Sequence, residues 1–300
     1  MCNRNFIFFK SNKRRDKNLT KVNALIDQGN EYFSKSLYAK AVRFYTLAIA
    51  HAKKLNEINI RAYLNRSQAF LKVDKPYAAH LDAQKVLQID STNVKAMFRL
   101  GKAFYAMGKF ELALENYEKC LKLNATNNDA HVEISRCRER LVESNEGVYN
   151  FEKLYMESFK RETLYMDVAD YTSNKIAIVD IEFKGKGVKA MEFIKKGTLL
   201  HVSKALAAVF YNKVNYSQTR YPRIVYLDEN RYNTSNESEN VADLIQKMRD
   251  NPMVAAKVYS LYGGDAYDRE PLDDESSFTT ENSNYTFLRI FLTVSWPFYN

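Results

Sequence analysis

The feature that most constrains the fold of this 300-residue chain is an internal repeat between residues 22 and 142. Three segments each contain a small residue, an aromatic residue three positions later and an alanine twelve positions later. The small residues lie 38 and 34 residues apart, a spacing typical of proteins built from stacked helix pairs. In chain order, the small, aromatic and alanine positions are Gly29, Tyr32 and Ala41; Ser67, Phe70 and Ala79; and Gly101, Phe104 and Ala113.

Each segment is predicted to form two amphipathic helices. The small residue allows the two helices to approach closely, and the aromatic residue fills the space between them. Turn residues stand between the predicted helices at Lys75-Pro76 and at Met107-Gly108-Lys109. Because each helix pair buries its apolar face only against its neighbours, residues 127–142 are expected to form a helix that caps the array.

These offsets resemble the pattern of the tetratricopeptide (TPR) repeat, in which small and aromatic positions recur every 34 residues. The resemblance implies an α-solenoid of three helix-turn-helix repeats plus a capping helix over residues 22–145. Stacked repeats of this kind curve around a concave surface that binds extended peptides. The first helix of each pair is expected to supply most of the side chains on that surface.

Four polar residues fall on these predicted first helices, namely Asn30, Asn65, Lys95 and Arg99. Lys95 and Arg99 are four residues apart and share one helix face. Lysine and arginine would give charge-assisted hydrogen bonds to a peptide carboxylate, and the asparagines would add neutral donors. The alternative is that all four are ordinary polar residues of a groove.

The four residues resemble the dicarboxylate clamp of co-chaperone TPR domains. The resemblance implies a protein partner in the groove, such as the Glu-Glu-Val-Asp C-terminus of a heat-shock chaperone. That family has a further lysine one helical turn before the first asparagine, where this chain has Ile26. A lysine at position 26 is therefore expected to strengthen peptide binding.

The N-terminal 21 residues hold seven lysines and arginines against one acid, which predicts a basic, disordered tail. The run Lys13–Lys17 is compatible with a nuclear-localisation signal and with a solvated tail, so cytoplasm, nucleus or both are expected. The isoelectric point near 9.2 alone does not favour nucleic acid, because no base-reading motif accompanies it. Three widely spaced cysteines and the lack of long apolar runs predict no metal site, disulfide scaffold or membrane span.

The repeat stops near Gly147. Residues 146–172 are predicted to be a linker containing a helix over 148–160. Beyond residue 174 apolar residues alternate with polar ones, which predicts a first strand that contains Ile176, Ile178 and Asp180-Ile181 and ends at Lys184–Gly187. A second strand is predicted over Thr198–Val202 and a third over Ala205–Tyr211.

The stretch Lys184-Gly185-Lys186-Gly187, followed by Ala190 and by Ile194–Leu200, resembles the opening of a SET domain, the fold of protein-lysine methyltransferases. The resemblance is close over 169–213 and looser over 241–264, which would be a helical insert. It implies a partial SET domain of mostly-β, α+β structure over residues 173–264. Lys184, Gly185, Lys186 and Gly187 would then form a loop that binds S-adenosylmethionine. The alternative is a glycine turn in an unrelated small sheet.

Later elements of a catalytic SET domain are not found in this sequence. It has no Asn-His pair and no cysteine after Cys137, and residues 265–300, an acidic loop and a tail, do not match the family. No catalytic residue is therefore assigned, and little or no activity is expected. Two functions remain open. One is a relative of protein-lysine methyltransferases whose groove recruits a protein partner, and the other is a non-enzymatic, co-chaperone-like adaptor that binds acidic C-terminal peptides.

Overall fold

The computed structural model of the chain describes residues 3–52, 56–159, 166–181, 185–206, 224–226, 231–233 and 236–259. The chain divides into two compact units, Met1–Glu146 and Gly147–Asn300. None of the helices in the described ranges is long and apolar enough to cross a membrane.

Unit 1 is helical over its described residues, and each helix packs against the next along the chain. The first three helix pairs are the three predicted repeats, and the last helix caps them, so the predicted solenoid of helix pairs is confirmed. The helices are α1 (Asn3–Ser34), α2 (Tyr38–His51), α3 (Asn56–Lys72), α4 (Pro76–Ile89), α5 (Val94–Ala106), α6 (Phe110–Leu123) and α7 (Asn128–Glu146).

The first helix differs from the expectation at its N-terminal end. Because α1 begins at Asn3, the backbone of residues 3–21 is helical, which corrects the expected disordered tail. The chain has no proline before Pro76 and no glycine before Gly29, so no residue in this segment interrupts helical backbone geometry. The lysines and arginines of this segment also have favourable helix propensity.

The repeat positions form the core of unit 1. Gly29, Ser67 and Gly101 are buried, as are the three alanines twelve positions after them. The positions sixteen and nineteen residues after each small residue are also buried. They are Tyr45, Ala83 and Tyr117, and Ala48, Val86 and Cys120. The Cys120 thiol donates to the carbonyl of Val94 at 3.6 Å, and burial raises its pKa to about 11, which fits a packing role.

The turn inside each repeat has the same backbone feature. Ser36, Asp74 and Gly108 each stand seven positions after the small residue of their repeat, and each has a positive φ, of 58°, 55° and 72°. This left-handed conformation ends the first helix, and the second helix begins within two residues. Pro76 occupies the first turn of α4, where the missing N–H of proline leaves no hydrogen bond unmade.

Unit 2 contains short elements. The first, α8 (Phe151–Ser158), is shorter than the predicted helix over 148–160. Among the described residues of unit 2, six strands pair into three two-stranded antiparallel sheets, β1 with β4, β2 with β3 and β5 with β6. The strands are β1 (Tyr171–Thr172), β2 (Ile176–Ile181), β3 (Gly185–Ala190), β4 (His201–Val202), β5 (Ile224–Tyr226) and β6 (Arg231–Asn233), and the helices α9 (Asn236–Asp250) and α10 (Pro252–Tyr259) follow.

The structure agrees to different extents with the three strands predicted in unit 2. The first is observed as β2 (Ile176–Ile181), which contains the alternating residues that predicted it. Of the second, Thr198–Val202, only the last two residues form a strand, as β4. Of the third, Ala205 and Leu206 lie in no strand, and residues 207–211 lie outside the described residues.

The Lys-Gly-Lys-Gly segment is not a loop over its described residues. Gly185, Lys186 and Gly187 open strand β3, and Lys184 lies outside the described residues. The register pairs Ile181 with Gly185 and Val179 with Gly187, so both glycines belong to the ladder. The expected loop is corrected because strand β3 already begins at the first glycine, Gly185.

Candidate peptide-binding groove

The two predicted asparagines lie together on the first helices of repeats 1 and 2. Asn65 on α3 donates from Nδ2 to Oδ1 of Asn30 on α1 at 2.9 Å. The hydroxyl of Tyr45 on α2 donates to the same oxygen, also at 2.9 Å. Tyr45 is fully buried, so this contact fixes the side chain of Asn30 against the core. The amide nitrogen of Asn30 remains as its donor group for a ligand.

Arg99 is the central cation of the site. Its Nη2 donates to Oε1 of Gln68 at 2.8 Å, while Nη1 is buried and has no hydrogen-bond partner in the described part of the chain. Burial lowers the pKa of Arg99 to about 10, so the guanidinium stays charged near neutral pH. Burial also raises the pKa of Tyr45 to about 12, and the positive charge of Arg99 opposes that rise.

Lys95 and Arg99 line a cavity of about 560 Å³ in unit 1. Its walls come from α3, α5, α6 and the region of α7. Five cations, Lys72, Lys95, Arg99, Lys102 and Arg136, line it. The acids that line it are Asp129 and Glu133, so its lining carries a net positive charge that favours an anionic ligand.

Ile26 does not belong to this surface. Its side chain is fully buried in the core with Val22, Ala41 and Tyr45. Val22 and Ile26 are one turn apart, on the face of α1 that packs inward. A lysine at position 26 would replace a core side chain and would not present its charge to the groove. The prediction that this change strengthens binding is therefore wrong.

Sequence reasoning missed several side chains that line the cavity, among them Gln68, Lys102 and Tyr117. The repeat phase contains the signal for two of them. Asn30, Gln68 and Lys102 each follow directly after the small residue of their repeat. Extending the groove assignment from Asn30 to its equivalents would have identified Gln68 and Lys102.

The described residues of the β2–β3 hairpin do not fit S-adenosylmethionine. A Cβ on Gly187 would overlap Cδ1 of Ile181, so this glycine faces a side chain and offers no space for a ligand. The paired residues Ile178 and Val188 are apolar, and 69% and 67% of their surfaces are exposed. Across the described ranges, no three His, Cys, Asp or Glu side chains are grouped so that they could hold a metal ion.

The family model of the tetratricopeptide repeat matches residues 94–127, the third repeat. This segment of the chain therefore matches one tetratricopeptide repeat. It is 27% identical over 239 residues to a protein of Gibberella zeae named "Methyltransferase". That alignment covers 79% of this chain and 32% of the relative, so the chain spans about a third of the length of the curated relative it matches.

Several solved TPR domains are similar to this chain. The TPR domain of Arabidopsis OM64 is 31% identical, with 40% of this chain and 97% of that chain covered and a TM-score of 0.38. The C-terminal TPR-containing domain of a Plasmodium falciparum FK506-binding protein is 29% identical, with 43% of this chain and 93% of that chain covered and a TM-score of 0.41. The second TPR domain of human RPAP3, solved in complex with an HSP70 peptide, is 28% identical. The match covers 40% of this chain and 98% of that chain, with a TM-score of 0.37.

Proposed function

We propose that the groove of unit 1 binds the acidic C-terminus of a partner protein, with Asn30, Asn65, Lys95 and Arg99 holding its two terminal carboxylates. The observation that carries this proposal is Arg99, a charged guanidinium whose buried Nη1 has no hydrogen-bond partner among the described residues and which lines a positively charged cavity. A buried charged donor without an acceptor is unfavourable, and a carboxylate supplies the acceptor with the complementary charge.

The four residues contribute differently to this binding. Arg99 is held by Gln68 and can give a directed, charge-assisted hydrogen bond from Nη1. Lys95 is exposed, so water and salt screen its charge. The asparagines add neutral amide donors. A groove with one buried cation is expected to give an affinity in the tens of micromolar or weaker, about −6 kcal/mol, which decreases as salt is added.

Replacing Arg99 by alanine is expected to weaken binding of a peptide that ends in Glu-Glu-Val-Asp by about tenfold or more, because one charge-assisted hydrogen bond is lost. Fluorescence anisotropy with a labelled peptide measures this. Arg138→Ala is the matched control, since Arg138 is exposed and does not line the cavity. A peptide with an amidated C-terminus and asparagine as its last residue tests the two carboxylates. Equal affinities of the Arg99→Ala and Arg138→Ala variants would contradict the proposal.

We also infer that unit 2 is related to S-adenosylmethionine-dependent protein-lysine methyltransferases through a partial SET domain over residues 173–264. The supporting observation is the alignment with the Gibberella zeae protein. This alignment is 239 residues long, which is more than the 146 residues of unit 1, so it extends into unit 2. The groove would then recruit the protein to be methylated.

Because the described part of the hairpin does not fit the cofactor, we expect isothermal titration of this chain with S-adenosylmethionine to give little or no heat. Titration with adenosine is the control for non-specific binding of the nucleoside. Absence of binding at millimolar cofactor favours the adaptor function alone. Micromolar binding would instead assign a cofactor site to unit 2 and contradict the expectation drawn from the hairpin.

A further inference from the structure

We propose that the groove has a second recognition point, at the hydroxyl of Tyr117, which selects an asparagine or glutamine side chain of the bound peptide upstream of its acidic end. This inference rests on the proposed function, because the ligand is the same peptide. It names a sequence preference of the partner that the carboxylate contacts alone do not give.

The Tyr117 hydroxyl is an unsatisfied group beside the cavity. Tyr117 is fully buried and contributes to the cavity lining, and its hydroxyl has no hydrogen-bond partner among the described residues. Buried polar groups are almost always hydrogen-bonded in native proteins. In repeat 1 the equivalent residue, Tyr45, meets this requirement by donating to Asn30. The third repeat therefore leaves open a hydrogen bond that the first repeat makes within the protein.

The difference follows from one residue. Asn30 and Lys102 occupy the same position in their repeats, directly after Gly29 and Gly101. An asparagine offers an acceptor to the tyrosine hydroxyl, whereas the ammonium group of lysine has only donors. Lys102 instead lies 3.7 Å from Oε1 of Glu133, and its Nζ is 5.2 Å from the centroid of the Phe98 ring.

Glu133 supplies an acceptor on the lining of the same cavity. It is 9% exposed, lines the cavity and accepts a hydrogen bond from Nη1 of Arg136 at 2.9 Å. Burial and the negative charge of Glu133 both raise the pKa of Tyr117, which keeps the phenol protonated. A neutral O–H donor and a carboxylate acceptor thus line the same cavity.

The charges in this part of the groove favour an uncharged ligand group. Lys102 and Arg136 both form ion pairs with Glu133, so the charges of these three residues are already paired within the protein. A side-chain amide can accept from the Tyr117 hydroxyl and donate to the Glu133 carboxylate. A carboxylate would be repelled by Glu133, a cation would be repelled by Lys102 and Arg136, and an apolar side chain would leave the hydroxyl unpaired.

A peptide scan tests the assignment. Peptides end in Glu-Glu-Val-Asp and carry alanines at the four preceding positions, which are replaced one at a time by glutamine, glutamate, lysine or leucine. At one position or more, glutamine is expected to bind the parent protein about three- to tenfold more tightly than alanine. Tyr117→Phe should remove this gain, so that the glutamine and all-alanine peptides bind this variant with equal affinity.

Melting temperatures separate recognition from folding. Tyr117→Phe removes an unpaired hydroxyl, so its melting temperature should equal or exceed that of the parent. The matched variant Tyr45→Phe loses the hydrogen bond to Asn30 and should melt at a lower temperature.

Three results would overturn the second recognition point while leaving the proposed function in place: no gain with glutamine at any position, a gain that persists in Tyr117→Phe, or a larger gain with glutamate, lysine or leucine. If the parent protein binds none of the peptides, the proposed function fails, and this inference fails with it.

Discussion

Replacing Arg66 by methionine is expected to lower the free energy of unfolding of unit 1 by about 3 kcal/mol near pH 7. Arg66 on α3 donates from Nε and Nη2 to both carboxylate oxygens of Asp82 on α4, each at 2.7 Å. Asp82 is 4% exposed, so removing the guanidinium leaves a buried carboxylate without its cation. Methionine keeps most of the apolar stem of Arg66, so the variant loses the guanidinium together with its further hydrogen bond to Oγ1 of Thr46 at 3.1 Å. Urea unfolding followed by circular dichroism measures the change.

The pH dependence gives this prediction a clear sign. Burial raises the pKa of Asp82, and Arg66 opposes that rise through its hydrogen bonds and its charge. A carboxyl group whose pKa is higher in the folded than in the unfolded state destabilises the folded state as the pH rises through that range and the group ionises. In Arg66→Met the pKa of Asp82 should rise further. The difference in stability between the variant and the parent protein should therefore shrink as the pH is lowered from 7 toward 4.

A second substitution serves as the control. Asp82→Asn in the Arg66→Met background removes the buried charge, so it should recover part of the lost stability and make the remaining deficit independent of pH in this range. A deficit for Arg66→Met well below 1 kcal/mol at every pH would show that the ion pair contributes little to the fold. A deficit that grows on acidification would contradict the role assigned to Asp82.

The repeat register of unit 1 could be predicted from the sequence because packing between helices repeats with the chain. Each small residue, its alanine twelve positions later and the residue sixteen positions later must face the neighbouring helix, and any shift would expose all three. The observed burial of Ser67, Ala79 and Ala83 follows from this requirement.

Side chains that differ between repeats were harder to predict. Ile26 was expected to face the groove because the related clamp has a lysine one helical turn before its first asparagine. The spacing of Ile26 from Val22 and its apolar character already indicate the core face of α1. The open hydroxyl of Tyr117 depends on the identity of residue 102 and on where its side chain lies. Such a contact depends on the identity of a single residue. A pattern that all repeats share does not predict it.

In unit 2, local signals could not fix the strand register. Alternation predicted β2 correctly, but the glycines after it were assigned to a loop because glycine is the commonest turn residue. The structure places them in β3, where Gly187 gives room to the side chain of Ile181 from the paired strand. A glycine in a strand often marks such a close approach, and this meaning becomes visible only when the pairing is known.

The three repeats also differ in the sizes of two facing residues, the small residue and the residue sixteen positions later. Repeats 1 and 3 combine glycine with tyrosine, as Gly29 with Tyr45 and Gly101 with Tyr117, whereas repeat 2 combines Ser67 with Ala83. A Cβ on Gly101 would lie 2.6 Å from Cε1 of Tyr117, closer than two carbon atoms can approach. The glycine is therefore required by the size of the tyrosine that faces it.

Gly101→Ser is accordingly expected to destabilise unit 1 by about 1–3 kcal/mol through overpacking, although serine has the higher helix propensity. Tyr117→Ala should cost about 3–5 kcal/mol, because it removes a large buried side chain. The double variant recreates the serine–alanine pair of repeat 2, so it should be no less stable than Tyr117→Ala alone. Chemical denaturation of the parent and the three variants completes this double-mutant cycle.

The coupling energy between the two substitutions is the decisive quantity. The serine clashes only while the tyrosine is present, so the double variant should be more stable than the sum of the single effects predicts, by about 1–3 kcal/mol. As the control, Ala106→Ser introduces a serine at an exposed position at the end of α5. It should change the free energy of unfolding by less than about 0.5 kcal/mol. If the two effects simply add, the contact between position 101 and the tyrosine ring does not explain why repeat 3 has a glycine there.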